Sequence, residues 1–273
     1  MSIIVMTREM GTLGKEVARE FGRRKGVSVV HHELVESTEA RRAGDDESEV
    51  YRYLEGSEQE LDKWRNNRSR GGYLTPEEVL EIALEGDVLI RGWGATKLLK
   101  SIPNVLSVRV CAPMEFRIKT IMERLGVGQQ EASREIARSD AAHARAFFRF
   151  FDDDWRDPLN YDMVLNMAHM SPKTCADVLC DAVANPAFAE TEETRRRLTD
   201  ELTQSRLAMA LNSRVQSKDR RNRIYVSVND GRARLYGLAA DKNSSSLAEE
   251  IAATQPGLSG VQNDIAVVSG LSG

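Results

Sequence analysis

Short apolar runs alternate along this chain with longer segments whose apolar residues return every three or four positions. Ile3-Ile4-Val5-Met6 has the length and branching of a buried strand. Leu13, Val17 and Phe21 follow at helical spacing. The same alternation predicts strands at Val27–Val30, Asp87–Ile90, Val105–Val110 and Tyr161–Asn166. Helices are predicted from Pro76, from Met114 to Leu125, from Gln129 to Phe151, and from Ser171-Pro172 through Val183. Thr75 is placed to cap the first of these, with Glu78 positioned for a capping box. In the segment Met114–Leu125, Met114, Ile118, Ile121, Met122 and Leu125 define one apolar face, with Arg117, Lys119 and Arg124 outside it. Five strands interleaved with helices predict an α/β unit: a parallel sheet with helices on both faces.

Asn185-Pro186 ends that pattern, and the periodicity then changes. A charged helix, Thr194 to Asn212, precedes Arg223–Val228, which alternates with a period of two. Asn229-Asp230-Gly231 is a hairpin signal, answered by Arg232–Gly237. A helix near Ser246–Ala253 and a strand holding Val261, Ile265 and Val267 complete a small α+β unit of order αββαβ. The predicted domains are 1–188 and 189–273.

Composition narrows the class. The 273 residues suffice for two cores, and the net charge of −4 with mixed signs gives no pointer to nucleic acid or an anionic membrane. No segment reads as a signal peptide or a bilayer span. Cys111, Cys175 and Cys180 lack metal-type spacing and fit a reducing compartment, so the expectation is a soluble cytoplasmic protein. His31-His32 would point to opposite faces of a strand, which argues against a shared metal site. Residues 37–72 are strongly charged, with Asp45-Asp46-Glu47 and Arg65, Arg68 and Arg70, and read as helices over a core. The acidic part of this segment is either an acceptor cover or a solvated helix.

The candidate chemistry lies where the first strand ends. Strand, then Gly11-Thr12-Leu13-Gly14-Lys15, then helix is the arrangement of a phosphate cradle: Gly11 and Gly14 allow positive φ angles and close approach of the backbone, free amides and the helix dipole face an anion, and Lys15 adds charge. Against the general pattern G-x-x-x-x-G-K-[ST], Glu9 stands at the first glycine and Glu16 at the magnesium-binding hydroxyl. A plain tight turn with a solvated lysine is the competing reading. Arg91-Gly92-Trp93-Gly94, at the carboxyl end of a strand, is either a ligand-binding position or a plain turn with an exposed arginine. Arg134, Arg138, Arg145 and Arg149 form a helical stripe, read either as a solvated face or as a phosphate lid; the pattern alone favours the former.

Together these landmarks resemble the cytidylate kinase-like family of P-loop nucleoside monophosphate kinases, over about Ser2 to Val183. The resemblance rests on Arg8-Glu9-Met10-Gly11-Thr12-Leu13-Gly14-Lys15-Glu16 and on Leu89-Ile90-Arg91-Gly92-Trp93-Gly94-Ala95. It continues through Ala112-Pro113-Met114-Glu115-Phe116-Arg117, Asp140, Trp155 and Tyr161-Asp162. It implies ATP with Mg2+ on Gly11, Thr12, Gly14, Lys15 and Glu16, and a nucleoside monophosphate such as CMP or dCMP held by Arg91, Gly92 and Asp140. Lys15, Arg117, Arg138 and Arg145 would carry the catalytic charge. The chain departs from the family pattern at His31-His32, at Thr120 and at His143, where an aspartate and two arginines are expected. A catalytically silent nucleotide-binding regulator is therefore the alternative. From about Thr194 to Val268 the chain resembles a BON domain, which implies a binding module for a protein or phospholipid partner.

Overall fold

The computed structural model describes residues 2–31, 76–92 and 94–268. The expectations for His32, the charged segment 37–72, the Thr75 cap and Trp93 lie outside the described residues. By its internal contacts the chain divides into units Met1–Glu190 and Thr191–Gly273.

The first unit holds a five-stranded sheet of order β2-β3-β1-β4-β5, with all four strand pairings parallel. The strands are β1 (Ile3–Arg8), β2 (Ser28–His31), β3 (Val88–Arg91), β4 (Val105–Cys111) and β5 (Met163–Asn166). Between them run α1 (Gly14–Lys25), α2 (Pro76–Glu85), α3 (Ala95–Leu98), α4 (Met114–Leu125), α5 (Gln129–Phe151) and α6 (Pro172–Val183). β1 is central and buried along its whole length, which explains its unbroken apolar run. Ile4 and Met6 pack with Val17 and Phe21 of α1 and with Cys175 and Leu179 of α6. Ile3 and Val5 alternate to the other face, where Val5 lines a cavity of about 190 Å³ with Leu99 and Ile102. That cavity sits beside Val105 and Ser107, toward the amino-terminal half of β4, and the functional loop lies at the carboxyl ends of the strands.

Two helices start as their sequences predict. Ser171 caps α6 by accepting from the Thr174 amide at 3.1 Å. α5 runs over the predicted residues, Gln129–Phe151. Its buried side is Ala132, Ile136, Asp140, His143 and Phe147, at intervals of four, four, three and four.

In the second unit, α7 (Glu192–Leu211) and α8 (Lys242–Ala253) cover one face of a three-stranded sheet. The strands are β6 (Arg223–Asn229), β7 (Arg232–Ala239) and β8 (Gly260–Val267), with β6 antiparallel and β8 parallel to β7. Thr191 and Thr194 form a reciprocal cap at the start of α7. The Asp230-Gly231 hairpin is tied to that helix. Asp200, 8% exposed, accepts from the Asp230 amide at 2.7 Å and the Gly231 amide at 3.0 Å.

Candidate active site

The loop between β1 and α1 begins where the β1–β4 ladder ends, with the Glu9 amide donating to the Val110 carbonyl at 3.1 Å. The Thr12 hydroxyl and amide both donate to the Glu9 carbonyl, at 2.7 and 3.3 Å, and close a turn. Gly11 has φ +83°, and a Cβ there would lie 2.8 Å from the Arg117 carbonyl oxygen. Gly14 does a different job from the one its sequence context suggests. It is already helical, and a Cβ on it would meet the Arg8 side chain at 2.9 Å, so its smallness serves packing rather than a positive φ. The second positive φ of the loop falls on Leu13, at 59°. Val17 is the residue whose amide closes onto the Leu13 carbonyl, which leaves the amides of Gly14, Lys15 and Glu16 outside the helical ladder at its positive end. Lys15 sits in that first turn, partly exposed.

Glu16 stands one residue further on. Its Oε2 is buried and makes no hydrogen bond to any described residue. A carboxylate oxygen so placed beside a phosphate cradle fits a hard cation that takes its other ligands from phosphate and water. Among the described residues no group of three or more His, Cys, Asp or Glu side chains could hold a metal by itself.

Charged side chains brace the loop from behind. Glu9, 9% exposed, accepts from Arg109 Nη2 of β4 at 2.6 Å and lies 3.5 Å from Arg117. Arg117 donates through Nε to the Met10 carbonyl at 2.7 Å, and through its two terminal nitrogens to Asp140 at 2.9 and 2.6 Å. Arg156 reaches Asp140 at 3.8 Å, and its carbonyl accepts from Arg109 at 2.7 Å. Arg117, expected on the outside of its helix, is thus 4% exposed and clamps the loop backbone to α5. The reason is geometric: a planar guanidinium reaching a carboxylate in two-pronged fashion is the form in which an arginine is most readily buried. The Arg8-Glu9 pair ahead of the glycines is the sequence signal for Glu9; no local pattern points to Arg109, whose contact with Glu9 spans 100 residues.

Arg91, the last residue of β3, is 1% exposed, which removes the reading as a turn with a solvated arginine. Burial pushes its pKa well down; Arg8 and Arg124 add to that, and Glu16 opposes them. The adjoining Gly92 amide donates to the Met6 carbonyl at 2.9 Å. Beneath the Arg117–Asp140 pair, His143 stacks on Trp155 with ring centroids 3.9 Å apart. Burial, then Arg8, Arg109 and Arg156, hold His143 down at about 3, so the imidazole is neutral. Arg109 and Arg156 lie over the Trp155 ring at 5.2 and 5.6 Å, and its buried Nε1–H has no acceptor among the described residues. Arg138 and Arg145 are exposed on α5, Arg138 beside Glu135 at 3.9 Å. The structure therefore brings Gly11, Thr12, Gly14, Lys15, Glu16 and Arg91 around one loop and pairs Arg117 with Asp140. It leaves Arg138 and Arg145 on a solvent-facing stripe.

Comparison with known proteins gives the family. The cytidylate kinase-like family matches residues 3–169, and the BON domain matches residues 193–269. The cytidylate kinase of Pyrobaculum aerophilum is 25% identical over 181 residues, spanning 66% of this chain and 92% of that protein. That of Thermococcus kodakarensis is 24% identical over 170 residues, spanning 62% and 81%. A solved structure of an uncharacterized protein from Eubacterium ventriosum aligns over 68% of this chain and 99% of its own, at 18% identity and a TM-score of 0.46. The chain belongs to the cytidylate kinase-like family and carries a BON domain behind its kinase-like unit.

Proposed function

We propose that the first unit transfers the terminal phosphoryl group of ATP to a nucleoside monophosphate such as CMP or dCMP. The observation that carries this reading is the buried Arg91 set beside the β1–α1 loop. A buried guanidinium at the carboxyl end of a strand, in the field of Arg8, Arg124 and Glu16, stands where an open α/β sheet takes an anionic ligand. A monophosphate acceptor supplies two negative charges there, opposite the donor's phosphates on the amides of Gly14, Lys15 and Glu16. Phosphoryl transfer needs little covalent chemistry from a protein; it needs in-line alignment and compensation of charge on the moving group. Lys15 supplies charge on the donor side and Arg91 on the acceptor side, while Glu9, Arg117 and Asp140 fix the loop between them. Glu16 would hold Mg2+, which would supply compensation for the negative charge of the transferring phosphates. The C-terminal unit supplies a binding surface to a kinase working in solution in the cytoplasm; no helix among the described residues is long and apolar enough to cross a membrane.

A second reading, a nucleotide-binding regulator without turnover, is favoured by one observation: Arg117 spends its donors on Asp140 and the Met10 carbonyl. In that reading the C-terminal unit carries the output through a protein or phospholipid partner.

Phosphoryl transfer from Mg-ATP to a panel of nucleoside monophosphates separates the two. Turnover that Lys15→Ala abolishes, and that Arg91→Ala reduces mainly through acceptor KM, supports the kinase. Lys15-dependent ATP binding without transfer to any member of the panel supports the regulator.

A further inference from the structure

The second unit has a surface with chemistry of its own, independent of the phosphate loop. Its sheet buries Ile224 and Val226 of β6 and Ala233 and Leu235 of β7 under α7 and α8. Strand alternation sends the intervening residues the other way. Tyr225 and Tyr236, direct cross-strand neighbours, are 55% and 41% exposed there. Their rings stack with centroids 5.7 Å apart and 29° between the planes.

Arginines flank this pair on the same face. Arg223 lies two residues before Tyr225 on β6, and Arg234 two residues before Tyr236 on β7, both exposed. Arg232 continues the row, its guanidinium lying 3.3 Å from where a Gly260 Cβ would stand. One carboxylate answers the three: Asp264 of β8 accepts from Arg234 at 2.6 Å. This face is net positive although the whole chain carries −4. Among the outward residues of the three strands, Leu238 is the only large aliphatic side chain, and it sits near the end of β7.

Flat aromatic faces on an open sheet, flanked by arginines and with exposed aliphatic side chains confined to Leu238 and Val268 at one end, suit a ligand with both planar rings and a regular series of anions. Unstacked nucleobases lie on such aromatic faces, and the phosphates between them pair with the arginines. A lipid surface calls instead for an apolar group that enters the acyl boundary. We propose that this sheet face binds single-stranded nucleic acid. Tyr225 and Tyr236 form its stacking platform, and Arg223 and Arg232 contact the phosphates.

The test uses the full chain and fluorescence anisotropy of labelled RNA and DNA single strands of roughly 10 nucleotides, the footprint of such platforms. Binding of either strand, weakening as salt rises, is expected. Tyr225→Ala and Tyr236→Ala should each weaken it by roughly fivefold to a hundredfold, and Tyr236→Phe should leave it unchanged. Arg223→Ala should lower the slope of log K against log salt by about 0.7, the value for one phosphate on a single strand. Lys15→Ala should bind as the parent does, which separates this surface from the kinase-like unit. Circular dichroism of each variant reports whether the sheet is intact. Failure of both strands to bind overturns the proposal, as does retention of full affinity by the tyrosine-to-alanine variants. Binding to vesicles of anionic phospholipid that depends on the same tyrosines, without binding to oligonucleotides, overturns it in favour of a membrane surface.

Discussion

His143 offers the sharpest test of the packing behind the phosphate loop. It is 2% exposed, stacked on Trp155, and held down at about 3 by burial and by Arg8, Arg109 and Arg156. The unfolded chain binds a proton at this side chain below its ordinary pKa of about 6.5; the fold refuses it until about 3. Stability is therefore intact above pH 6.5 and lost as the pH falls from 6.5 toward 3. One pKa unit corresponds to about 1.4 kcal/mol, so the loss between pH 7 and pH 5 is about 2 kcal/mol. His143→Phe keeps a flat ring against Trp155 and removes the titration. Urea denaturation of the two proteins across that range should give curves of stability against pH that diverge by this amount. The chain has four histidines, and a side-chain NMR titration gives a direct readout: the His143 resonance should stay at its neutral position down to pH 5. Parallel denaturation curves, together with a His143 resonance that titrates near 6.5, would refute the reasoning.

Two further substitutions probe the two units separately. Asp140→Asn removes the two-pronged carboxylate partner of Arg117 and leaves that buried guanidinium with Glu9, at 3.5 Å, as its carboxylate; a loss of about 3 kcal/mol is expected in urea denaturation of the first unit, with weaker ATP binding by calorimetry because the loop is held less firmly to α5. Asp200→Ala strips the acceptor from the Asp230 and Gly231 amides at the β6–β7 turn. It should destabilise the second unit by about 1–3 kcal/mol while leaving nucleotide binding untouched, which hydrogen exchange at the turn and calorimetry would check together.

Much of the framework was legible because its signals are local. The long helix α5 was read to its ends from the glycines before it and the aromatic residues closing it. The Asn229-Asp230-Gly231 turn announced β6 and β7 by its own chemistry. The side chains that set the site were harder, because their reasons lie far along the chain. Periodicity put Arg117 outside α4, but its partners are Asp140, 23 residues on, and the Met10 carbonyl, 107 residues back. Arg91 admitted two readings because glycines on one side suggested a turn, and the sheet register that buries it depends on β1 and β2. Gly14 looked like a conformational glycine; only the neighbouring Arg8 side chain shows it to be a packing one. The BON domain's aromatic pair is not legible locally, because Tyr225 and Tyr236 become neighbours only once the strand register is fixed.

The central place of β1 has a consequence for how the chain acquires its structure. Ile3 pairs with Val88 on one side and Val105 on the other. At a synthesis rate of roughly 5–20 residues per second, the first strand made waits about 5–20 seconds for both neighbours. An apolar strand with two open edges is the sort of segment that pairs with the wrong partner. The second unit, whose β6 and β7 meet across a short turn, has no such delay. Refolding from denaturant should accordingly be limited by assembly of the parallel sheet, and nascent chains released before β4 is complete should be the ones that chaperones bind.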